Sequence, residues 1–210
     1  GVPGTLSLLE TAHKEHGKLP WATLMQPAIQ LAEQGFKVSP RLHQALLAEN
    51  DLINDAVAAS YFYDAQRKPH PVGYVLKNPE LAAVLRDIAN RGSLALKQGA
   101  VAQALVQKVR QHPTKPGSMT LQDLAQYKVI KREPLCFDHV VQTTGKDFQI
   151  CGFPPPSSGA LAIGQILGIL NNTPAGKMPL EQGLPGSDWL HFYTEALAWH
   201  LQTERSLWAV

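Results

Sequence analysis

Cysteine is almost absent from this chain, and no stretch concentrates charge of one sign. Two cysteines, Cys136 and Cys151, in 210 residues cannot make a multiple-disulfide framework or a four-thiolate zinc site. Charged residues make up only 17% of the chain and leave a net charge of +2. No Lys/Arg cluster with interleaved aromatics occurs, so nucleic acid is not expected as a partner. The longest apolar run, residues 160–170, is broken by Gly164, Gln165 and Gly168 and is too short to span a bilayer. No stretch reads as a secretion signal, an internal repeat or a low-complexity tract. What remains is 44% hydrophobic residues punctuated by 16 Gly and 16 Pro, enough for one large domain or two small ones. The chain begins Gly1-Val2-Pro3 without a methionine and ends Leu207-Trp208-Ala209-Val210 in a helical pattern. A piece of something larger is the expectation.

The first two thirds read as helices. Thr5 can cap a helix with Leu6, Leu8, Leu9 and Ala12 on its inner side, closed by Gly17. A second helix runs from about Pro20 to Glu33, with Trp21, Leu24, Met25, Ala28, Ile29 and Ala32 at helical spacing and Gly35 as its stop. Ser39-Pro40 and Asn78-Pro79-Glu80 pair a capping side chain with proline at the first helical position. They open helices over Arg41–Asn50 and up to Asn90-Arg91-Gly92. Residues 55–74 read as a packed surface loop, with a lid as the alternative. A helix over Ala100–Gln111 follows, and Thr120 with Asp123 approximates a capping box for Leu121–Tyr127.

Strands come next. Leu135–Val141 and Phe148–Phe153 read as a hairpin across the turn-rich link 142–147. Phe153 then leads into Pro154-Pro155-Pro156-Ser157-Ser158-Gly159. Three consecutive prolines remove three backbone donors, so the chain is expected to leave the sheet in an extended, polyproline-like form. Ser157 and Ser158 offer hydroxyls for a helix N-cap, and Gly159 permits a close turn. Helices over Ala160–Leu170 and Trp189 to about Leu207 complete the chain, separated by a Gly/Pro-rich loop. A rigid strand-to-helix joint of this kind often borders an active site or an interface.

Other constellations have plainer readings. His191, Glu195 and His200 fall on one helix, but no third nearby ligand and no HExxH accompany them, so a metal is not expected. Gly159, Gly164 and Gly168 do not have nucleotide-loop spacing and are expected to allow close helix packing. His13 and His16 lie on an exposed helix end and need no function. Asp138 and His139, neighbours on a strand, point to opposite faces and make no acid–base pair. Cys136 and Cys151 lie in the two arms of the hairpin. With a turn centred near Gly145 they are offset by about three positions, so the expected state is reduced and buried. A bulge could still bring them together.

Several blocks carry a resemblance. Gly1-Val2-Pro3-Gly4-Thr5, His16-Gly17-Lys18-Leu19-Pro20-Trp21 and the run from Gln26-Pro27 to Lys37-Val38 are similar to the large subunit of γ-glutamyltranspeptidases. Thr120-Leu121-Gln122-Asp123-Leu124-Ala125-Gln126-Tyr127, Arg132-Glu133-Pro134-Leu135 and Pro154 to Gly159 follow in the family's order. The resemblance implies an α+β chain: a mostly helical segment with a β-hairpin, part of an αββα N-terminal-nucleophile hydrolase fold. It implies a precursor that cuts itself, freeing an N-terminal threonine that attacks a γ-glutamyl amide such as glutathione. A terminal α-amine can act as base for its own hydroxyl, so no histidine and no cofactor are required.

Carried over residue by residue, the catalytic and substrate-binding lists are empty. The nucleophile motif is absent, since Thr143-Thr144 is followed by Gly145 in a turn. The substrate-gripping residues of the family precede Gly1 or follow Val210. Pro154, Pro155, Pro156, Ser157, Ser158 and Gly159 are left as structural support near the site. Two departures stand out: a hairpin extended at residues 142–147, and Thr203-Glu204-Arg205 one residue out of register with the family's last helix. The expected layout is a helical region, residues 1–134, and residues 135–210 completing the same domain. Expected partners are the missing N-terminal part and small subunit of the precursor, a small γ-glutamyl substrate, and a second copy where apolar surface or the hairpin edge is bared. The contrasting readings are a stand-alone, non-catalytic helical binding module derived from this family, and a related acylase or poly-γ-glutamate-processing enzyme.

Overall fold

The structure, a computed structural model, describes the backbone of residues 1–207 and the side chains of residues 1–202. The register at Thr203-Glu204-Arg205 and the helical reading of Trp208-Ala209-Val210 lie outside the described side chains and residues. The chain forms two compact units, Gly1–Val129 and the part from Ile130 onward.

The first unit is helical: α1 (Thr5–His16), α2 (Trp21–Gln34), α3 (Pro40–Ala48), α4 (Ala56–Phe62), α5 (Pro79–Arg91), α6 (Leu94–Lys97), α7 (Ala100–Arg110) and α8 (Leu121–Gln126). A two-residue antiparallel ribbon joins β1 (Phe36–Lys37) to β2 (Val75–Leu76). Helices α2 and α5 share the core, where Ile29, Ala32 and Ala82 are buried with Met25, Leu85 and Ala89 packed around them. The indole Nε1 of Trp21 donates to the Ile88 carbonyl at 2.9 Å, and Arg86 pairs with Glu33 across the same interface. Gly35 ends α2 at φ 87°, and a Cβ there would lie 2.5 Å from the Leu76 carbonyl oxygen. Glycine is required at that position.

Three of the caps read from sequence are in place, whereas Thr5 is the first residue of α1 behind an N-cap at Gly4 that makes no side-chain cap bond. The hydroxyl of Ser39 accepts from the Leu42 N–H, and the amide oxygen of Asn78 from the Leu81 N–H. Thr120 and Asp123 form a reciprocal capping box. Residues 55–74 differ from the loop expected. The Asp55 carboxylate accepts from the Val57 and Ala58 N–H groups and starts α4, a cap signal that the missing proline hid. Tyr63 is buried behind it, its hydroxyl donating to the Leu46 carbonyl at 3.2 Å. Helix α1 also corrects its expected inner face. Leu8 and Leu9 are 52% and 51% exposed and Ala12 is exposed, whereas Ser7 is buried. The helix docks through Ser7 and through Glu10, whose carboxylate accepts from the Ser93 N–H at 2.9 Å.

The second unit opens with the hairpin β3 (Leu135–Val141) and β4 (Lys146–Gly152), followed by α9 (Gly159–Asn171). A small ribbon of β5 (Leu180–Glu181) and β6 (Leu184–Pro185) precedes α10 (Ser187–Leu207). Leu170, Ala175 and Ala196 are its buried centre, flanked by Ile166, Ile169, Trp189, Phe192 and Tyr193. The hairpin is in continuous register, Leu135 opposite Gly152 and Val141 opposite Lys146, so its turn centres between Thr143 and Thr144. That places Cys136 directly opposite Cys151. The two form a disulfide, with Cα atoms 4.2 Å apart, and both are exposed. The reduced, buried state expected from a turn at Gly145 is therefore corrected.

Candidate functional site

The strand-to-helix joint is built by close approach. At the end of β4, a Cβ on Gly152 would sit 2.9 Å from the Ala160 Cβ, so only glycine lets strand and helix start meet there. The three prolines do not continue as an extended helix. The Ser157 N–H donates to the Pro154 carbonyl at 3.1 Å, and the peptide bond between Pro155 and Pro156 is cis, closing a turn of the type that carries a cis proline at its third position. With three donors missing, the first available N–H after the prolines is that of Ser157, and it closes the turn. Ser158 occupies the N-cap of α9, but its φ of −84° and ψ of −18° are helical and its side chain accepts no capping bond. The cap expected from Ser157 and Ser158 is thus not made by their hydroxyls; the helix begins with the Ala162 N–H on the Ser158 carbonyl, at 2.8 Å.

Helix α9 is fastened to the hairpin at both ends. Near its start it meets Gly152 through Ala160, and at Gly164 an added Cβ would lie 3.1 Å from the Phe137 ring. At its end the Gln142 amide donates to the Asn171 carbonyl at 2.7 Å, and the Asn171 side-chain amide lies 3.2 Å from Nδ1 of His139. Gly164 thus packs on a strand rather than a helix, and Gly168 has open space where a Cβ would stand, so the helix-packing role expected of these glycines is not what they play. On the other side of α9, the buried His200 ring places Nδ1 2.7 Å from Oε1 of Gln165. Asp138 and His139 do point to opposite faces, the former exposed and the latter half-buried.

The joint brings together shape rather than reactive groups. Pro154, Pro155, Pro156, Ser157, Ser158 and Gly159 form the turn and the first helical residue, next to a hollow of about 260 Å³ lined by Arg132, Pro134, Cys151, Gly152, Phe153 and Pro154. Among the described residues no group of three His, Cys, Asp or Glu side chains is placed to hold a metal ion. A hollow of about 890 Å³ belongs to the first unit and is lined by Asp51, Asp55, Lys108, His112 and Lys115 among others. Three of its polar side chains are committed to the fold. Asp55 caps α4 and pairs with Lys108 at 2.9 Å, and Nδ1 of His112 accepts from the Lys115 N–H at 3.1 Å. The lowered pKa values of Asp55 and Asp123 have structural causes too. The Ala58 N–H and then Lys108 hold Asp55 below the usual carboxylate range, and the Thr120 hydroxyl does the same to Asp123. The contacts of Gln142, Asn171, His139, Gln165 and His200 escaped sequence reasoning, because each pairs residues from separate elements.

Comparison with known proteins agrees with this architecture. The sequence model of the gamma-glutamyltranspeptidase family matches residues 1–208. Glutathione hydrolase 2 of Arabidopsis thaliana is 36% identical over 94% of this chain and 32% of its own length. The glutathione hydrolase proenzyme of Pseudomonas aeruginosa is 35% identical over 93% of this chain and 32% of its own. The Acylase ACY 1 proenzyme of a Pseudomonas species is 34% identical over 93% and 33%. Among solved structures, the gamma-glutamyltranspeptidase of Helicobacter pylori superposes with a TM-score of 0.82 at 28% identity, covering 99% of this chain and 56% of that one. The chain spans about a third of the length of the curated relatives it matches. With an α+β architecture and a match over residues 1–208, this chain belongs to the γ-glutamyltranspeptidase family of N-terminal-nucleophile hydrolases.

Proposed function

We propose that these residues are a large-subunit segment of a γ-glutamyltransferase that cleaves γ-glutamyl amides such as glutathione. The full protein passes the glutamyl group to water or to an amino acid, and the 210-residue chain alone is inactive. The observation that carries this reading is the match over residues 1–208 by a chain that amounts to about a third of its relatives. The nucleophilic threonine and the residues that grip the substrate then belong to the rest of the precursor, which supplies the N-terminal part and the small subunit as partners. Within this segment, residues 1–134 are helical and residues 135–210 complete the same domain. The turn from Pro154 to Gly159 supports the site by fixing where β4 stops and α9 starts.

An assay with γ-glutamyl-p-nitroanilide tests the reading. The purified chain should give no turnover above a buffer blank, and the precursor extended through its small subunit should process itself and release p-nitroaniline. Turnover by the isolated chain, or an inert extended precursor, would overturn the proposal. A second reading is an acylase, favoured by the 34% identity to Acylase ACY 1. A glutaryl amide run in parallel separates the two: faster turnover than of the γ-glutamyl amide supports the acylase.

A further inference from the structure

The outer face of the β3–β4 hairpin carries chemistry that the proposed reaction does not use. Phe137 and His139 turn toward α9, and Cys136 and Asp138 turn away. The disulfide between Cys136 and Cys151 therefore covers no core and stands exposed to solutes. The hollow beside the joint reaches one of its two half-cystines, because Cys151 is part of the lining and Cys136 is not. The same lining brings Arg132 and Phe153, the latter 81% exposed. Among the described residues no carboxylate lies within ion-pair distance of Arg132.

These features suit one class of reactant. A small thiol needs access to a sulfur, and the open side of Cys151 gives it. A guanidinium recognises a carboxylate through paired N–H donors and raises the local concentration of an anionic thiolate. The ring of Phe153 and the face of Pro154 offer an apolar wall for the remainder of the molecule.

We propose that Cys151 is an S-thiolation site for a small-molecule thiol bearing a carboxylate, with Arg132 as the residue that recognises it. The thiolate sulfur attacks Sγ of Cys151, a new S–S bond forms, and the bond to Cys136 breaks. The electron pair leaves on Cys136 Sγ, which takes a proton from water. A second molecule of the thiol then attacks the sulfur of the first. It leaves as the symmetric disulfide and frees Cys151 as a thiol, so two thiols are oxidised and one disulfide is reduced. The proposal does not depend on which amide the full enzyme cleaves.

The oxidised chain is treated with glutathione or with uncharged 2-mercaptoethanol, quenched in acid, alkylated and mapped by peptide mass spectrometry. The expected adduct lies on Cys151. Arg132→Gln should slow exchange with glutathione roughly three- to tenfold and leave 2-mercaptoethanol within about twofold, a preference that high salt also erodes. In native buffer the Cys136→Ser chain should take up one glutathione on Cys151 from oxidised glutathione, a readout that survives if the hairpin loosens. Adducts chiefly on Cys136, equal slowing of both thiols in Arg132→Gln, or exchange only in denaturant would overturn the proposal.

Discussion

At the residue scale, Glu10 ties α1 to the segment that follows α5. Its side chain is only 20% exposed, and the Ser93 N–H and Lys14 both donate to it. Burial alone would raise its pKa, yet the bonds from Lys14 and Ser93 outweigh it and bring the carboxyl down to about 2. A depressed carboxylate stabilises above its ordinary titration range, and that contribution fades as pH falls from about 4.5 toward 2. Glu10→Gln should therefore cost roughly 1–2 kcal/mol at neutral pH and almost nothing near pH 2. Denaturant unfolding at both pH values checks this, and a constant difference would refute it. The contact of Glu10 with Ser93 escaped sequence reading, because the two are 83 positions apart. Ser39, Asn78 and Thr120 were legible because each caps a backbone N–H three residues on. The Cys136–Cys151 bond was misread for a related reason: pairing depends on where the turn centres, and Thr143-Thr144-Gly145 does not fix that.

At the element scale, glycine separates the two ends of α9 by function. Gly152→Ala would force a methyl against Ala160 and should destabilise by about 1–3 kcal/mol. Gly168→Ala meets nothing within 4 Å on an exposed helical turn and should stabilise by roughly 0.5–1 kcal/mol. Thermal unfolding of the two variants should shift in opposite directions; shifts of one sign would refute the packing described. Helices α2 and α5 were readable because long apolar periodicity met a terminal Gly35 or Gly92. The short α4 and α6 were not, since four to seven residues carry too little periodicity to mark a face. Helix α1 shows the limit of the pattern: spacing told which residues share a side, and tertiary contact chose Ser7 over Leu8.

At the scale of the whole molecule, ordered blocks such as Pro154 to Gly159 made the family legible, whereas no reactive centre could be read from these 210 residues. Each unit bares large apolar side chains, Leu8, Leu9 and Leu19 in the first and Phe153, Ile163 and Trp199 in the second. The isolated chain should self-associate as its concentration rises, and light scattering that reports a monomer throughout would refute this. The two-ended fastening of α9 has a mechanical corollary. Ala160 packs on Gly152 and Asn171 is bonded to Gln142 in the turn of the same hairpin, so sliding or pivoting of the helix alone would break contacts at both of its ends. Any push delivered to the proline turn would therefore displace a single stiff splint, and its far tip at Gln142 would swing with it.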